Sequence, residues 1–319
     1  MSGQEFDLID RYFSDINRSD ESVVCGVGDD AAVLNLADDQ ALLVSVDTLV
    51  KDVHFSSNDA ASDVAFKALA VNASDMAAMG GSPRWATLAL TLPELEHEWL
   101  KDFAVGFREA AEQFRISLVG GDTTRGPLTI SVQIMGTVTR GQSIRRSRAK
   151  AGDLIYVSGE LGAAGLAYRA DADSSLAKLV SENCLQRLRR PMPRVELGRQ
   201  LQHFAHAAID ISDGLVTDLG HVLRASEVGA EIELEKIPFC RELDSLDEAR
   251  RLEIALASGD DYELCFTLNR ASEDEMNRRL EDVDCPVTCI GRITDSTGIK
   301  WVDESGEEVK LELEGYQHF

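Results

Sequence analysis

Six acid-rich patches interrupt the apolar runs of this chain, and they restrict it to a fold of many short elements. They are "CGVGDDAAVL" (25–34), "VSVDTLVKDVHF" (44–55), "VNASDMAAMGG" (71–81), "LVGGDTTRGP" (118–127), "AIDISDGLVTD" (208–218) and "ASGDDYELCF" (257–266). Asp and Gly are ordinary turn residues, so any one patch alone reads as a connection between elements. No apolar run between the patches is long enough to span a bilayer. Six loops beside apolar segments then offer carboxylates.

The spacing predicts helices near 5–16 and over 62–79, 94–114, 193–204, 214–226, 246–257 and 272–281, with a helical region beginning in "ELGAAGLAYRA". Strands are expected near 22–25, 31–36, 41–47, 85–92, 116–122 and 128–138. Further strands are expected at "DLIYVSG", "HAAIDIS", 230–235, 262–268, 286–292, 298–303 and 308–313. Asp47 and Asp122 are expected at the ends of their strands, projecting into a cleft. Composition changes abruptly over 139–152, "TRGQSIRRSRAKAG", where basic residues lose apolar periodicity. A boundary there gives domains 1–140 and 150–319. Strands and helices mix in both halves without strict alternation, which predicts a two-domain α+β protein with mixed sheets rather than a doubly wound fold.

The chain has 319 residues and a net charge of −24, which argues against a nucleic-acid backbone as partner. An acidic site can still hold a small phosphorylated ligand if hard cations lie between the two sets of oxygens. The start "MSGQEFDLIDRYF" lacks the basic-then-apolar pattern of a secretion signal, so cytoplasm, with no membrane partner, is the expected location. The six cysteines form no CxxC pair and read as reduced thiols.

"GVGDDA" fits a dinucleotide fingerprint in letters only. A polar turn follows too soon for the required helix, and Asp29-Asp30 would repel a diphosphate. The P-loop pattern G-x-x-x-x-G-K-[ST] is absent from the sequence.

Asp30, Asp47, Asp75, Asp122, Asp210 and Asp213 come from separate segments, except for the last two, which flank Ser212. Oxygen donors without clustered His or Cys select Mg²⁺, Mn²⁺ or Ca²⁺ over zinc. Mg²⁺ usually takes a few carboxylates plus substrate phosphates, which suits dispersed acids.

"GDDAAVL", "VDTLVKDVHF", "KALAVNASDMAAMGG", "LVGGDTTRGPL", "RRSRAKAGDLIYVSG", "AIDISDGL", "SGDDYELCF" and "GYQHF" occur in order from end to end. Together they resemble the thiamine-monophosphate kinase family, of the superfamily of aminoimidazole ribonucleotide synthetase and selenophosphate synthetase. The resemblance implies the aminoimidazole ribonucleotide synthetase-like fold and a homodimer. It also implies direct in-line transfer of the γ-phosphoryl group of ATP, as co-substrate, to thiamine monophosphate, the last step of thiamine diphosphate biosynthesis. Several Mg²⁺ ions are implied, with K⁺ as a further candidate.

By motif, Asp30, Ser45, Val46, Asp47, Asp75, Asp122, Asp210 and Asp213 would form the metal set, with Asp47, Asp122 and Asp210 nearest the chemistry. Gly121, Asp122, Arg146 and Ser212 would contact ATP. His54, Asp260 and Tyr316 would line the thiamine-phosphate pocket. Asp260 replaces the glutamate common in the family's pattern and is shorter by one methylene. A selenophosphate synthetase would need a reactive Cys with a lysine beside it, and Cys25 has no such neighbour. A non-catalytic binder of Mg²⁺–ATP is the rival of a different class.

Overall fold

The computed structural model describes residues 11–13, 16, 20–27, 30–313 and 315–316. Most of the helix expected over 5–16 lies outside these residues, as do Gly28 and Asp29 of the first patch and the final three residues. The described residues divide into two compact units. The first holds those up to Met76 together with Gly81–Gly141, and the second holds Ala77–Gly80 together with those from Gln142 onward. The turn after the first long helix thus groups with the second unit.

In the first unit, the short strands β1 (Val23–Cys25) and β2 (Val33–Leu34) pair as a hairpin. Then come β3 (Gln40–Val50), α1 (Ala61–Ala78), β4 (Ser82–Leu92), α2 (His97–Phe114), β5 (Ser117–Arg125) and β6 (Thr129–Thr139). The last four strands form one sheet in the order β3-β6-β4-β5, antiparallel except for the β4–β5 pair. Alternation along the strands buries one face, built from Leu88, Leu90, Ile130, Val132 and Ile134. The opposite face carries exposed Leu42, Val44 and Val46 on the edge strand β3. Helices α1 and α2 cross closely, because Gly106 has no Cβ; one built there would lie 1.9 Å from the Ser62 carbonyl oxygen.

In the second unit, β7 (Leu154–Ser158) is followed by α3 (Ala163–Ala170), α4 (Ser174–Ala177), α5 (Glu182–Arg189) and α6 (Val195–Leu201). Next are β8 (Ala205–Asp210), α7 (Leu215–Ser226), β9 (Gly229–Glu233), α8 (Glu248–Ala257), β10 (Leu264–Leu268) and α9 (Glu273–Leu280). Strands β11 (Val287–Thr294), β12 (Gly298–Val302) and β13 (Glu308–Val309) complete it. The sheet order is β13-β12-β9-β11-β7-β10-β8, with β9 and β12 parallel. Ile155 and Val157 enter one core while Leu154 and Tyr156 enter the other, so β7 is buried on both faces. That burial explains why "LIYV" reads as a continuous apolar run.

The α+β expectation holds. Helices α4 and α5 are absent from the sequence-based expectation, because "LAKLVSENCLQRLRR" carries only a narrow apolar stripe. Asp173 and Ser181 begin them, accepting bonds from the backbone N–H groups of Ser175 and Cys184. One placement needs correction: neither Asp47 nor Asp122 ends a strand. The ladder continues past both, Asp47 pairing with Val132 and Asp122 with Ala89, because Thr48–Val50 and Thr123–Arg125 still find backbone partners.

Candidate active site

In the first unit, alternation along β3 places Ser45 and Asp47 on the helix-covered face, with Leu49 beyond them. The Ser45 hydroxyl donates to Asp75 Oδ2 on α1 at 2.5 Å. Val46 points to the other face and is 60% exposed. Asp30 is exposed. His54 sits in the turn after β3, where its Nδ1 accepts the Val50 N–H at 3.0 Å. That bond leaves the ring proton of neutral His54 on Nε2.

Asp122 is placed differently. Its row across the sheet runs through Ala89 and Ser131 to Thr48, whereas Asp47 shares a row with Val132, Leu88 and Gly121. Asp47 and Asp122 therefore lie on opposite edge strands and opposite faces, roughly 14 Å apart at three strand spacings. Gly121 allows β5 to approach β4, since a Cβ there would meet the Leu88 carbonyl oxygen at 2.1 Å.

In the second unit, two motifs far apart in sequence are joined by backbone bonds. Strand β10 pairs Leu264 with Asp210, at the end of β8. Beyond that pair, Ile211 N–H donates to the Glu263 carbonyl, Tyr262 N–H to the Ile211 carbonyl, and Asp260 N–H to the Ser212 carbonyl, at 2.8–2.9 Å. Tyr316 N–H donates to the Asp213 carbonyl at 3.1 Å, so the chain's end joins the same turn. Backbone pairing thus gathers Asp210, Ser212, Asp213, Asp260 and Tyr316 at one turn. Arg146 lies exposed on a single 3₁₀ turn, Arg146–Arg148, whose first carbonyl accepts from the Ser226 hydroxyl at the end of α7.

This crossing carries backbone strain. Gly259, Asp260 and Tyr262 have φ of +73°, +61° and +49°. For the two non-glycines this costs on the order of 1 kcal/mol or more each. Gly259 is required twice, because a Cβ would also lie 2.2 Å from the Ser212 carbonyl oxygen. The Tyr262 hydroxyl donates to Asp260 Oδ1 at 3.1 Å.

Asp218 is a residue that the motif reasoning misses. It is buried on the first turn of α7, and its Oδ2 accepts the N–H groups of Ser212 and Asp213, both at 3.0 Å. Burial, with Asp210 and Asp213 nearby, pushes its pKa up to about 8 against the pull of those two N–H groups. An aspartate in a helix's first turn, just after an S-D-G turn, is the signal that could have found it.

Among the described residues, no three His, Cys, Asp or Glu side chains stand close enough to hold a metal ion. The donor chemistry nevertheless fits a hard cation. Asp75 and Ser45 bring a carboxylate and a hydroxyl oxygen within 2.5 Å of each other, and Asp47 lies on the same face.

Residues 28–138 match the family described as AIR synthase related protein, N-terminal domain, and 150–304 match its C-terminal domain. Fold and sequence together define a two-domain AIR synthase related protein. The chain is also 43% identical over 323 residues to thiamine-monophosphate kinase of Escherichia coli (strain K12), covering 100% of this chain and 99% of that one. The crystal structure of thiamine-monophosphate kinase from Stenotrophomonas maltophilia K279a superposes with a TM-score of 0.85 at 44% identity, covering 96% of this chain and 98% of the other. AaThiL complexed with AMPPCP and TMP superposes with a TM-score of 0.76 at 32% identity, covering 100% and 98%. The chain belongs to the thiamine-monophosphate kinase family, as its motifs indicated.

Proposed function

We propose that this chain transfers the γ-phosphoryl group of ATP to thiamine monophosphate, giving ADP and thiamine diphosphate. The observation that carries the reading is AaThiL, alike over the whole chain and complexed with AMPPCP and TMP. Transfer is in line: an oxygen of the acceptor phosphate bonds to the γ-phosphorus as the bond to the β–γ bridging oxygen breaks. A phosphate acceptor is already anionic, so the protein's task is positioning and charge balance rather than proton removal.

Several Mg²⁺ ions, divided among Asp30, Ser45, Val46, Asp47, Asp75, Asp122, Asp210 and Asp213, would neutralise charge on the phosphates. Arg146 offers a planar fork to a nucleotide phosphate, and Gly121, Asp122 and Ser212 are the other candidate ATP contacts. His54 Nε2–H is a donor suited to the acceptor phosphate, and Asp260 and Tyr316 line its pocket. In this reading 1–140 carries the nucleotide, the ions and the dimer contact, and 150–319 completes both substrate sites. A second copy packed on the exposed sheet face would cover Leu42, Val44 and Val46 and bring Asp122 to the joint. No helix among the described residues is long and apolar enough to cross a membrane, and a cytoplasmic location fits the reading.

The test is purified protein with Mg²⁺, ATP and thiamine monophosphate, following both products by chromatography beside a metal-free control. Equal, metal-dependent amounts of ADP and thiamine diphosphate are expected. ADP alone would move the acceptor elsewhere in the superfamily. Tight Mg²⁺–ATP binding without turnover would identify a binding protein instead.

A further inference from the structure

The loop 259–263 has two sides. Asp260 and Tyr262 are half-buried and bonded to each other, while Asp261 and Glu263 are 4% and 0% exposed. The backbone N–H groups of Asp260 and Tyr262 tie one side to Ser212 and Ile211. The inward carboxyls hold the other. Asp261 Oδ1 accepts Gly162 N–H at 2.9 Å, just before α3. Gly162 is a required glycine, with φ +92° and a built Cβ 2.7 Å from Leu243 Cδ1 and 3.0 Å from Ala255 Cα. Glu263 accepts from the Ser158 hydroxyl at 2.5 Å, from Arg194 Nε at 2.7 Å, and from Arg187.

Among the described residues, Asp261 Oδ2 is buried with no hydrogen-bond partner. A half-satisfied buried carboxyl weakens a core, so packing alone gives no account of it. Its one bond does account for it, because that bond fixes the middle of a loop whose flanking residues are both left-handed. In such a loop each side chain's direction depends on every φ being held.

We propose that Asp261 is a positioning residue, holding Asp260 and Tyr262 in the conformation that receives the phosphate acceptor, with Glu263 as the loop's second anchor. The proposal rests on the reading that Asp260 lines the thiamine-phosphate pocket. Asp261 does not touch the substrate; Tyr262 acts by fixing the Asp260 carboxylate through its hydroxyl.

The test compares Asp261→Ala, Asp261→Asn and Tyr262→Phe with the wild type in the full chain, by steady-state kinetics, thermal unfolding and amide hydrogen exchange. Asp261→Ala should raise KM for thiamine monophosphate roughly tenfold, about the effect of one lost hydrogen bond, and KM for ATP less than about threefold. Asp261→Asn should restore KM to within about threefold, since its amide oxygen can still accept from Gly162. Tyr262→Phe should raise the same KM without lowering the unfolding temperature.

Equal shifts in both KM values, or a lower unfolding temperature with neither KM changed, would overturn the proposal. If Asp261→Ala does not fold, an unchanged KM in Tyr262→Phe does so. A wild type that forms no thiamine diphosphate sinks the functional reading instead. Exchange then decides the anchoring: the amides of Asp260 and Tyr262 should exchange faster in Asp261→Ala, and unchanged protection counts against it.

Discussion

The two units present their candidate groups by different means. In the first, Ser45 and Asp47 are successive same-face residues of a regular strand, and Asp75 meets Ser45 from a helix. In the second, Asp210, Ser212, Asp213 and Asp260 lie where two segments cross, held by backbone bonds, left-handed residues and buried carboxyls. A regular strand can aim a carboxylate at no conformational cost. It cannot bring backbone groups of distant segments together, and the crossing does so at the expense of strain. Substitutions should therefore cost function without stability in the first unit, and those that disturb the backbone of the crossing should cost stability first in the second.

The largest effect is expected at Asp75. Asp75→Asn keeps an acceptor for the Ser45 hydroxyl and removes a charge, so kcat/KM should fall by about 10²–10³ with unfolding little changed. Ser45→Ala should lose about 10–100-fold. A large drop in unfolding temperature for either would show that the first unit also depends on these groups for its fold.

Glycines sharpen the contrast. Gly259→Ala adds a clash and a strained φ, and should destabilise by about 3 kcal/mol or more in a denaturant titration. Gly120→Ala, on β5, meets only the Thr87 methyl at 3.8 Å and should stay within about 1 kcal/mol. Equal losses would erase the distinction between strand and crossing.

The smallest effect concerns pH. Burial raises the Asp261 carboxyl well above its ordinary value, opposed by Gly162 N–H and Arg187 and reinforced by Glu263 and Asp260. The folded state then holds that proton more tightly than the unfolded chain. The stability it contributes is complete below the unfolded value of about 3.9 and is lost as pH rises through the folded value. Asp261→Asn has no such loss, so its urea midpoint should gain on the wild type as pH rises above that unfolded value. A gap independent of pH would mean that Asp261 is charged throughout.

Much of this was legible in the residues. Alternation marked β6, an apolar run marked β3, and the Gly80-Gly81 stop closed α1 where expected. The motif order announced the family. Asp261 was not legible, because its role depends on the Gly162 N–H, which only folding brings to it, whereas Asp218 left a local signal, a first-turn aspartate just after the S-D-G turn. The sequence by itself determined which residues carry oxygen, which segments alternate, and where left-handed turns could form, since these follow from side-chain chemistry and local sterics. The tertiary structure alone decided that Asp75 meets Ser45, that Asp122 faces away from Asp47, and that residues 259–263 close on 211–213. Strand register and helix placement are set by pairing between distant segments, and one residue of register reverses the face a carboxylate occupies.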